Sequence, residues 1–182
     1  MNDYTIRQSK FAYFFTTSNA SAPLWFLVRL YLGYEFLMAG WEKVGNAAWF
    51  GSGAGKALTG FVQNAVAKAS CAPGCHPDVY QWYASFLQSS VLPHVMIWSN
   101  AVVVGEIMIG LGLIVGLCTR TAAFFAFFMA FNFLLSGSVS INPTLVLLAI
   151  GIMIAHRVAG YWGLDRFVQP YLRRMCTARN KN

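Results

Sequence analysis

Four long apolar segments alternate with more polar links along the chain. They cover residues 23–43, 93–117, 119–135 and 143–160, and each begins near Pro or Thr, which helix starts tolerate. A helix of about 20 residues crosses the ~30 Å hydrocarbon core of a bilayer, and the segments approach this length. They lack the alternation of apolar and polar residues that is typical of membrane strands. The pattern predicts an all-α fold, an integral membrane four-helix bundle.

The long link between the first two segments, residues 44–92, has a helical pattern of its own. Apolar side chains of residues 56–70 fall on one helical face, and residues 79–88 form a second short stretch, rich in aromatic residues. We therefore expect a helical link outside the cytoplasm, lying on the mouth of the bundle or at the interface. The predicted organisation is a cytoplasmic N-terminal segment 1–22, a membrane domain 23–170 and a basic cytoplasmic tail 171–182.

Composition strengthens the membrane interpretation. Apolar residues make up 57% of the chain and charged residues only 10%, against about 25% charged residues in soluble domains. This excludes a disordered chain, a coiled coil and almost any soluble enzyme of this size. The net charge of +7 lies mostly in the termini, which indicates orientation in a bilayer rather than nucleic-acid binding. We expect a multi-pass plasma-membrane protein with both termini cytoplasmic and residues 44–92 and 136–142 outside.

Ionisable residues within the apolar segments are candidates for function because they are costly in a membrane. At about 1.5 Å per helical residue, Glu35, Glu106 and Asn132 are expected in one layer, with Arg29 about two turns further in. One interpretation is an ion pair of Arg29 with either glutamate that holds the helices together. The other is a catalytic role for Glu35, Glu106 and Arg29, in which a carboxylate keeps a proton beside a like charge and exchanges it with a quinone.

Aromatic residues and a histidine collect near the expected outer surface. Trp41, His94 and Trp98 are candidates for a flat pocket that takes a quinone ring. An aromatic belt at the membrane surface would place such residues in the same positions. Lys43 stands at the outer end of the first segment, where it can simply cap a helix.

The four cysteines divide between the two sides of the membrane. Cys71 and Cys75 lie in the outer link, whereas Cys118 and Cys176 lie on the cytoplasmic side. An oxidising exterior favours a structural Cys71–Cys75 disulfide. The alternative is a redox-active pair that passes electrons to a quinone, but such pairs usually have two intervening residues and this one has three. No metal site is expected, because His76 would be a third ligand without a fourth.

Three stretches of the chain resemble a known family. They are LVRLYLGYEFLMAGWEKV (27–44), VGEIMIGLGLIVGLCTR (104–120) and AGYWGLDR (159–166). Together they resemble the DoxX family over about residues 24–170. The long outer link is similar to the DoxD branch, the membrane subunit of thiosulfate:quinone oxidoreductase. By position, the family's recurring polar and glycine residues match Arg29, Glu35, Gly40, Lys43, Glu106 and Arg120.

The resemblance implies oxidation of thiosulfate to tetrathionate at the outer face, with a membrane quinone as electron acceptor. Lys43, alone or with Lys56, would attract the anion, and Glu35 and Glu106 would handle the quinone's protons. No haem or flavin motif is visible, so the quinone would take electrons from the substrate or from a cysteine pair. The expected partners are lipid, quinone, and a second protein subunit or another copy of the chain. The alternative is a non-catalytic accessory or assembly subunit of a larger respiratory complex.

Overall fold

The computed structural model describes residues 9–70 and 76–168, and all regular elements within these ranges are helices. This confirms the all-α class. In chain order the helices are α1 (Lys10–Thr16), α2 (Ala22–Val44), α3 (Lys56–Ala67), α4 (Gln81–Phe86), α5 (Val95–Val115), α6 (Thr119–Leu135), α7 (Asn142–Ile154) and α8 (His156–Ala159).

The helix that contains α5 starts earlier than the apolar pattern predicts. A π-helical turn (Leu87–Val91) and a 3-10 turn (Leu92–His94) connect α4 directly to α5, giving one helical run of 35 residues. These turns accommodate Pro93, which has no N–H to donate to the preceding turn. Among the described residues, this run alone is both long and apolar enough to cross a membrane; α6 and α7 are shorter apolar helices.

Close glycine contacts join α2 to α5, the most extensive helix pair of the described residues. A Cβ added at Gly110 would lie 2.7 Å from the backbone of Leu37. One added at Gly40 would lie 2.8 Å from the Ile107 side chain, and one at Gly33 would lie 2.9 Å from Ile114. The backbones therefore approach closely in a fixed antiparallel register, in which Gly40 is opposite Ile107.

The remaining long helices complete a common core. Helix α6 packs against α7 and α5, and α7 also contacts α2. The predicted helix 143–160 is interrupted at Ala155, whose backbone leaves the helical conformation at φ −85° and ψ 18°. The core between the four long helices includes Leu32, Phe36, Leu113, Ala126 and Ile152.

The link between α2 and α5 has a second core of its own. Leu58, Val62 and Ala65 are buried on one face of α3 and pack with Val79 and Leu87. This confirms the predicted amphipathic helix and the helix that follows it. The predicted Cys71–Cys75 disulfide lies outside the described residues, as does Cys176.

Candidate functional site

A buried ion pair links α2 to the middle of α5. The Lys43 Nζ lies 2.6 Å from Glu106 Oε1 and 2.7 Å from Oε2, and 3.5 Å from the Ala39 carbonyl oxygen. Glu106 is 1% exposed, and the Lys43 side chain is 18% exposed. Within residues 9–70 and 76–168, this is the single salt bridge. A bidentate contact of this kind neutralises both charges while the carboxylate is excluded from solvent.

The local backbone explains how the pair forms. Gly40 lets α5 approach so closely that an added Cβ there would lie 3.1 Å from the Glu106 Cβ. Side chains on a helix lean toward its N-terminus, so Lys43 reaches back over Ala39 to the level of Gly40. The close contact and this lean together bring the ammonium to Glu106.

The pair lines a cavity of about 390 Å³ between the C-terminal parts of α2 and α6, the middle of α5 and the start of α7. Its other polar side chains come from α2 and from the segment between α6 and α7, and aromatic rings form part of its wall. The Lys43 Nζ lies 5.3 Å from the centroid of the Trp49 ring and 6.0 Å from that of Phe133, distances at which cation–π attraction operates. The principal lining residues are Glu35, Glu42, Lys43, Trp49, Phe61, Glu106, Phe133, Ser138, Ser140 and Asn142.

The cavity holds three carboxyl groups and one ammonium group. Glu106 and Lys43 compensate one another, whereas Glu35 is half-buried and Glu42 is exposed at the rim. A buried carboxyl group beside a single cation exists as an anion while the cation stays paired with it, and as a neutral acid when the cation pairs elsewhere. The arrangement is therefore suited to proton exchange.

Glu35 and Glu106 share this cavity, but the prediction that they lie at one depth is wrong. Gly40, rather than Glu35, is level with Glu106, which places Glu35 five residues or about 7.5 Å closer to the N-terminus of α2. The depth estimate treated Pro23 and Leu117 as level with one another. In the structure, the C-terminal end of α5 instead meets α2 near Arg29, because a Cβ at Gly116 would overlap the Arg29 guanidinium.

Arg29 lies beside Gly116 at the C-terminal end of α5, so the predicted pairing of Arg29 with either glutamate is also wrong. Its fully buried guanidinium donates from Nη2 to the Trp162 carbonyl at 3.0 Å and from Nη1 to the Ala159 carbonyl at 3.4 Å. Asp165, which the sequence interpretation missed, accepts the backbone N–H groups of Cys118 and Thr119 at 2.7 and 2.8 Å, capping the start of α6. The sequence feature that could have identified Asp165 is its position as the acidic residue of the stretch AGYWGLDR (159–166).

Asn132 does not line the cavity that holds the ion pair. The Tyr83 hydroxyl lies 3.1 Å from both the Asn132 carbonyl and its side-chain oxygen, and Asn132 donates to the Phe128 carbonyl at 2.7 Å. Both Tyr83 and Asn132 line a separate apolar pocket of about 200 Å³. Asn132 therefore does not join the glutamates.

The candidate ring-binding residues do not meet in one place. Trp41 is 68% exposed and His94 is exposed, and neither lines the cavity. Trp98 lines the apolar pocket and donates from its ring nitrogen to the Ser90 carbonyl at 3.2 Å. Of the four proposed substrate-binding residues, Lys43 alone faces the cavity. Among the described residues, no three His, Cys, Asp or Glu side chains cluster as metal ligands.

Comparison with known proteins gives one family. The family model described as DoxX matches residues 24–137, well over half of the chain. No curated protein and no solved structure matches. DoxX proteins are membrane proteins, often associated with oxidoreductase subunits. The match contains Lys43, Glu106 and the glycine contacts between α2 and α5. The chain belongs to the DoxX family.

Proposed function

We propose that the chain is the membrane subunit of a quinone-linked oxidoreductase that oxidises thiosulfate to tetrathionate. Its reaction site would be the cavity around Lys43 and Glu106. The observation that carries this proposal is the buried bidentate pair itself, because it places a cation and a protonatable carboxyl group in one ligand-sized space. Small-molecule sites typically measure about 300–1,000 Å³, and the cavity measures about 390 Å³.

The proposal includes a membrane arrangement. Helices α2, α5, α6 and α7 would form the four-helix membrane bundle, with both termini in the cytoplasm and α3 and α4 outside. The surplus of Lys and Arg in the two termini supports this orientation. The cavity then opens toward the outer surface, where a small anion arrives from water and a quinone arrives from the bilayer.

The overall reaction sets what the site must supply. Two thiosulfate ions join through a new S–S bond between their terminal sulfurs and release two electrons. The quinone accepts these two electrons and two protons and becomes the quinol. The site must therefore balance anionic charge and deliver protons in the same place.

Lys43 and Glu106 can couple these two requirements. An anion that pairs with the Lys43 ammonium takes the counterion away from Glu106. A buried carboxylate without a partner is strongly disfavoured, so Glu106 takes up a proton as the anion binds. That proton then lies beside the ring that needs it. Glu35, half-buried in the same cavity, is the second carboxyl group along this route.

Aromatic side chains provide a surface for the quinone ring. Trp49, Phe61 and Phe133 line the same cavity as the ion pair, and flat rings stack on such surfaces. In this account Arg29 holds the inner end of the bundle and takes no part in the chemistry.

The test is turnover by the purified chain in liposomes, supplied with thiosulfate and a soluble quinone. We expect quinol and tetrathionate to form in a one-to-one ratio with the wild-type chain. Glu106→Gln should fold yet lose most turnover, whereas Glu42→Gln, a change at the exposed rim, should retain it. Full turnover by Glu106→Gln would contradict the assignment of the site.

A second function is supported by a different surface. Phe124, Phe125, Phe128 and Phe131 of α6 are each more than 40% exposed, a broad apolar face available to lipid or to a partner helix. This face favours an accessory or assembly subunit of a larger respiratory complex, in which the ion pair only holds α2 to α5. Copurification of a large complex from native membranes, without turnover by the chain alone, would support that function instead.

A further inference from the structure

The apolar pocket is separate from the polar cavity and has no role in the mechanism above. It lies where α3 and α4 cover the outer parts of α5 and α6, and its volume is about 200 Å³. Val62, Leu87, Val102 and Met129 form its interior. Phe61 and Phe133 contribute to both spaces, so these two rings are the wall between them.

The polar side chains of the pocket are already used by the protein. Tyr83 bonds to Asn132, Asn132 donates to the Phe128 carbonyl, and Trp98 donates to the Ser90 carbonyl. A polar headgroup would have to break these bonds to be recognised, and exchanging satisfied bonds gains little. The pocket is therefore suited to a hydrocarbon chain without polar groups.

The mouth of the pocket opens at an apolar surface. Trp98 is 41% exposed and Phe128 is 55% exposed, and Ala101, which also lines the pocket, is exposed as well. These residues belong to α5 and α6, and α5 lies within the helical run that is long and apolar enough to cross a membrane. In the membrane arrangement proposed above, the medium around α5 and α6 is the hydrocarbon of the bilayer, where acyl chains are the most concentrated ligand.

We propose that this pocket binds the acyl chain of a bilayer phospholipid, which enters sideways between α5 and α6 beneath the outer helices. The headgroup stays outside, near Trp98, where an indole ring is suited to the interface. The inference uses the membrane placement of α5 and α6 proposed above, but it does not depend on the redox activity.

An acyl chain in the pocket supports the wall of the polar cavity. The Phe61 and Phe133 rings meet edge to face, with centroids 5.8 Å apart at 87°. On the other side of this wall, the Lys43 Nζ faces the Phe133 ring at 6.0 Å. Because a filled pocket limits movement of Phe133, lipid binding holds one of the contacts around Lys43 in place.

Photocrosslinking tests the proposal on the full chain. We would reconstitute it in phosphatidylcholine vesicles that contain a trace of phosphatidylcholine with a diazirine near the end of one acyl chain. After illumination, mass spectrometry should find crosslinks at interior residues such as Leu87 and Met129, as well as on the lipid-facing Phe124. Crosslinks confined to exposed residues would overturn the proposal.

Matched variants on one helix separate the pocket from the general lipid surface. Val102→Phe fills the interior and should reduce the Leu87 and Met129 crosslinks about tenfold relative to those at Phe124, a loss of ~1.4 kcal/mol in binding. Val104→Phe, at a position that is 45% exposed on the same helix, should leave them unchanged. Unchanged interior crosslinks in Val102→Phe would overturn the proposal.

Two further experiments control for misfolding of the variant and for a different ligand in the pocket. Ala101→Leu narrows the exposed mouth without adding bulk to the core, and it should also reduce the interior crosslinks. Addition of a long-chain prenylquinone at the concentration of the probe should leave them in place. Loss of these crosslinks on adding the quinone would assign the pocket to the quinone and overturn the lipid proposal. Neither experiment measures turnover, so the lipid proposal is tested independently of the proposed redox activity.

Discussion

The Lys43 ammonium contacts both carboxylate oxygens of Glu106 at 2.6 and 2.7 Å, across a helix contact that Gly40 makes possible. The two residues stand 63 positions apart in the chain. Their pairing joins the C-terminal end of α2 to the middle of α5 and places a cation and a carboxyl group in the wall of the polar cavity. Both the stability of the bundle and the proposed chemistry depend on this contact.

Loss of the cation should cost more stability than loss of the whole pair. Lys43→Gln leaves the buried Glu106 without its partner and should lower the free energy of unfolding by about 3 kcal/mol, the lower end of the range for broken buried pairs because Lys43 is partly exposed. The double variant Lys43→Gln with Glu106→Gln strands no charge and should recover part of this loss. Thermal unfolding of the wild-type chain, the two single variants and the double variant in one detergent measures the difference. Equal losses in the single and double variants would show that the charges are not coupled.

The close contact between α2 and α5 should be sensitive to a single methyl group. Gly110→Ala places a Cβ only 2.7 Å from the Leu37 backbone, and overpacking of this kind costs about 1–3 kcal/mol. Gly60→Ala in α3 is the matched control, since its Cβ would meet nothing within 4 Å. That variant should be neutral or more stable by about 0.5–1 kcal/mol, because alanine favours helix over glycine. Comparable destabilisation by both variants would argue against the tight register.

Arg29 and Asp165 should contribute to stability and not to catalysis. Asp165→Ala removes the cap at the start of α6, which should cost about 1 kcal/mol, and Arg29→Ala leaves the carbonyls of Ala159 and Trp162 without a buried donor. Both variants should unfold at lower temperature, yet retain turnover per folded molecule. A folded Arg29→Ala chain without turnover would return Arg29 to the catalytic residues.

Accessible thiols test the proposed orientation. Cys118 is exposed at the junction of α5 and α6, and Ser140 is exposed at the opposite end of α6. In chains that keep a single cysteine, an impermeant thiol reagent added to intact cells should label Ser140→Cys and spare Cys118. The reverse pattern would place the cavity at the cytoplasmic face.

Apolar runs were sufficient to predict where most of the helices lie. Helix α2 was expected at 23–43 and is found at Ala22–Val44, and α6 is found at its predicted bounds. The run through Pro93 and the break at Ala155 escaped prediction, because both depend on local backbone turns rather than on hydrophobicity.

The candidate site was harder to predict because it depends on the register between two helices. Glu106, Glu35 and Lys43 were each identified, but the partner of Glu106 was not. Counting depth from each helix end assumed that the ends of α2 and α5 are level. The actual register follows from where Gly33, Gly40 and Gly110 allow the backbones to meet, and a count along one helix carries no information about this contact.

The most direct test of the proposed site is proton uptake on anion binding in the absence of quinone. When thiosulfate is added to the weakly buffered, reconstituted chain, the protein should take up about one proton per bound anion, because binding at Lys43 obliges Glu106 to become protonated. This uptake is measured as a rise in the pH of the solution. The same linkage predicts tighter binding as the pH falls. Glu106→Gln should bind thiosulfate without this uptake. Thiosulfate binding to the wild-type chain without proton uptake, or equal uptake in Glu106→Gln, would contradict the account.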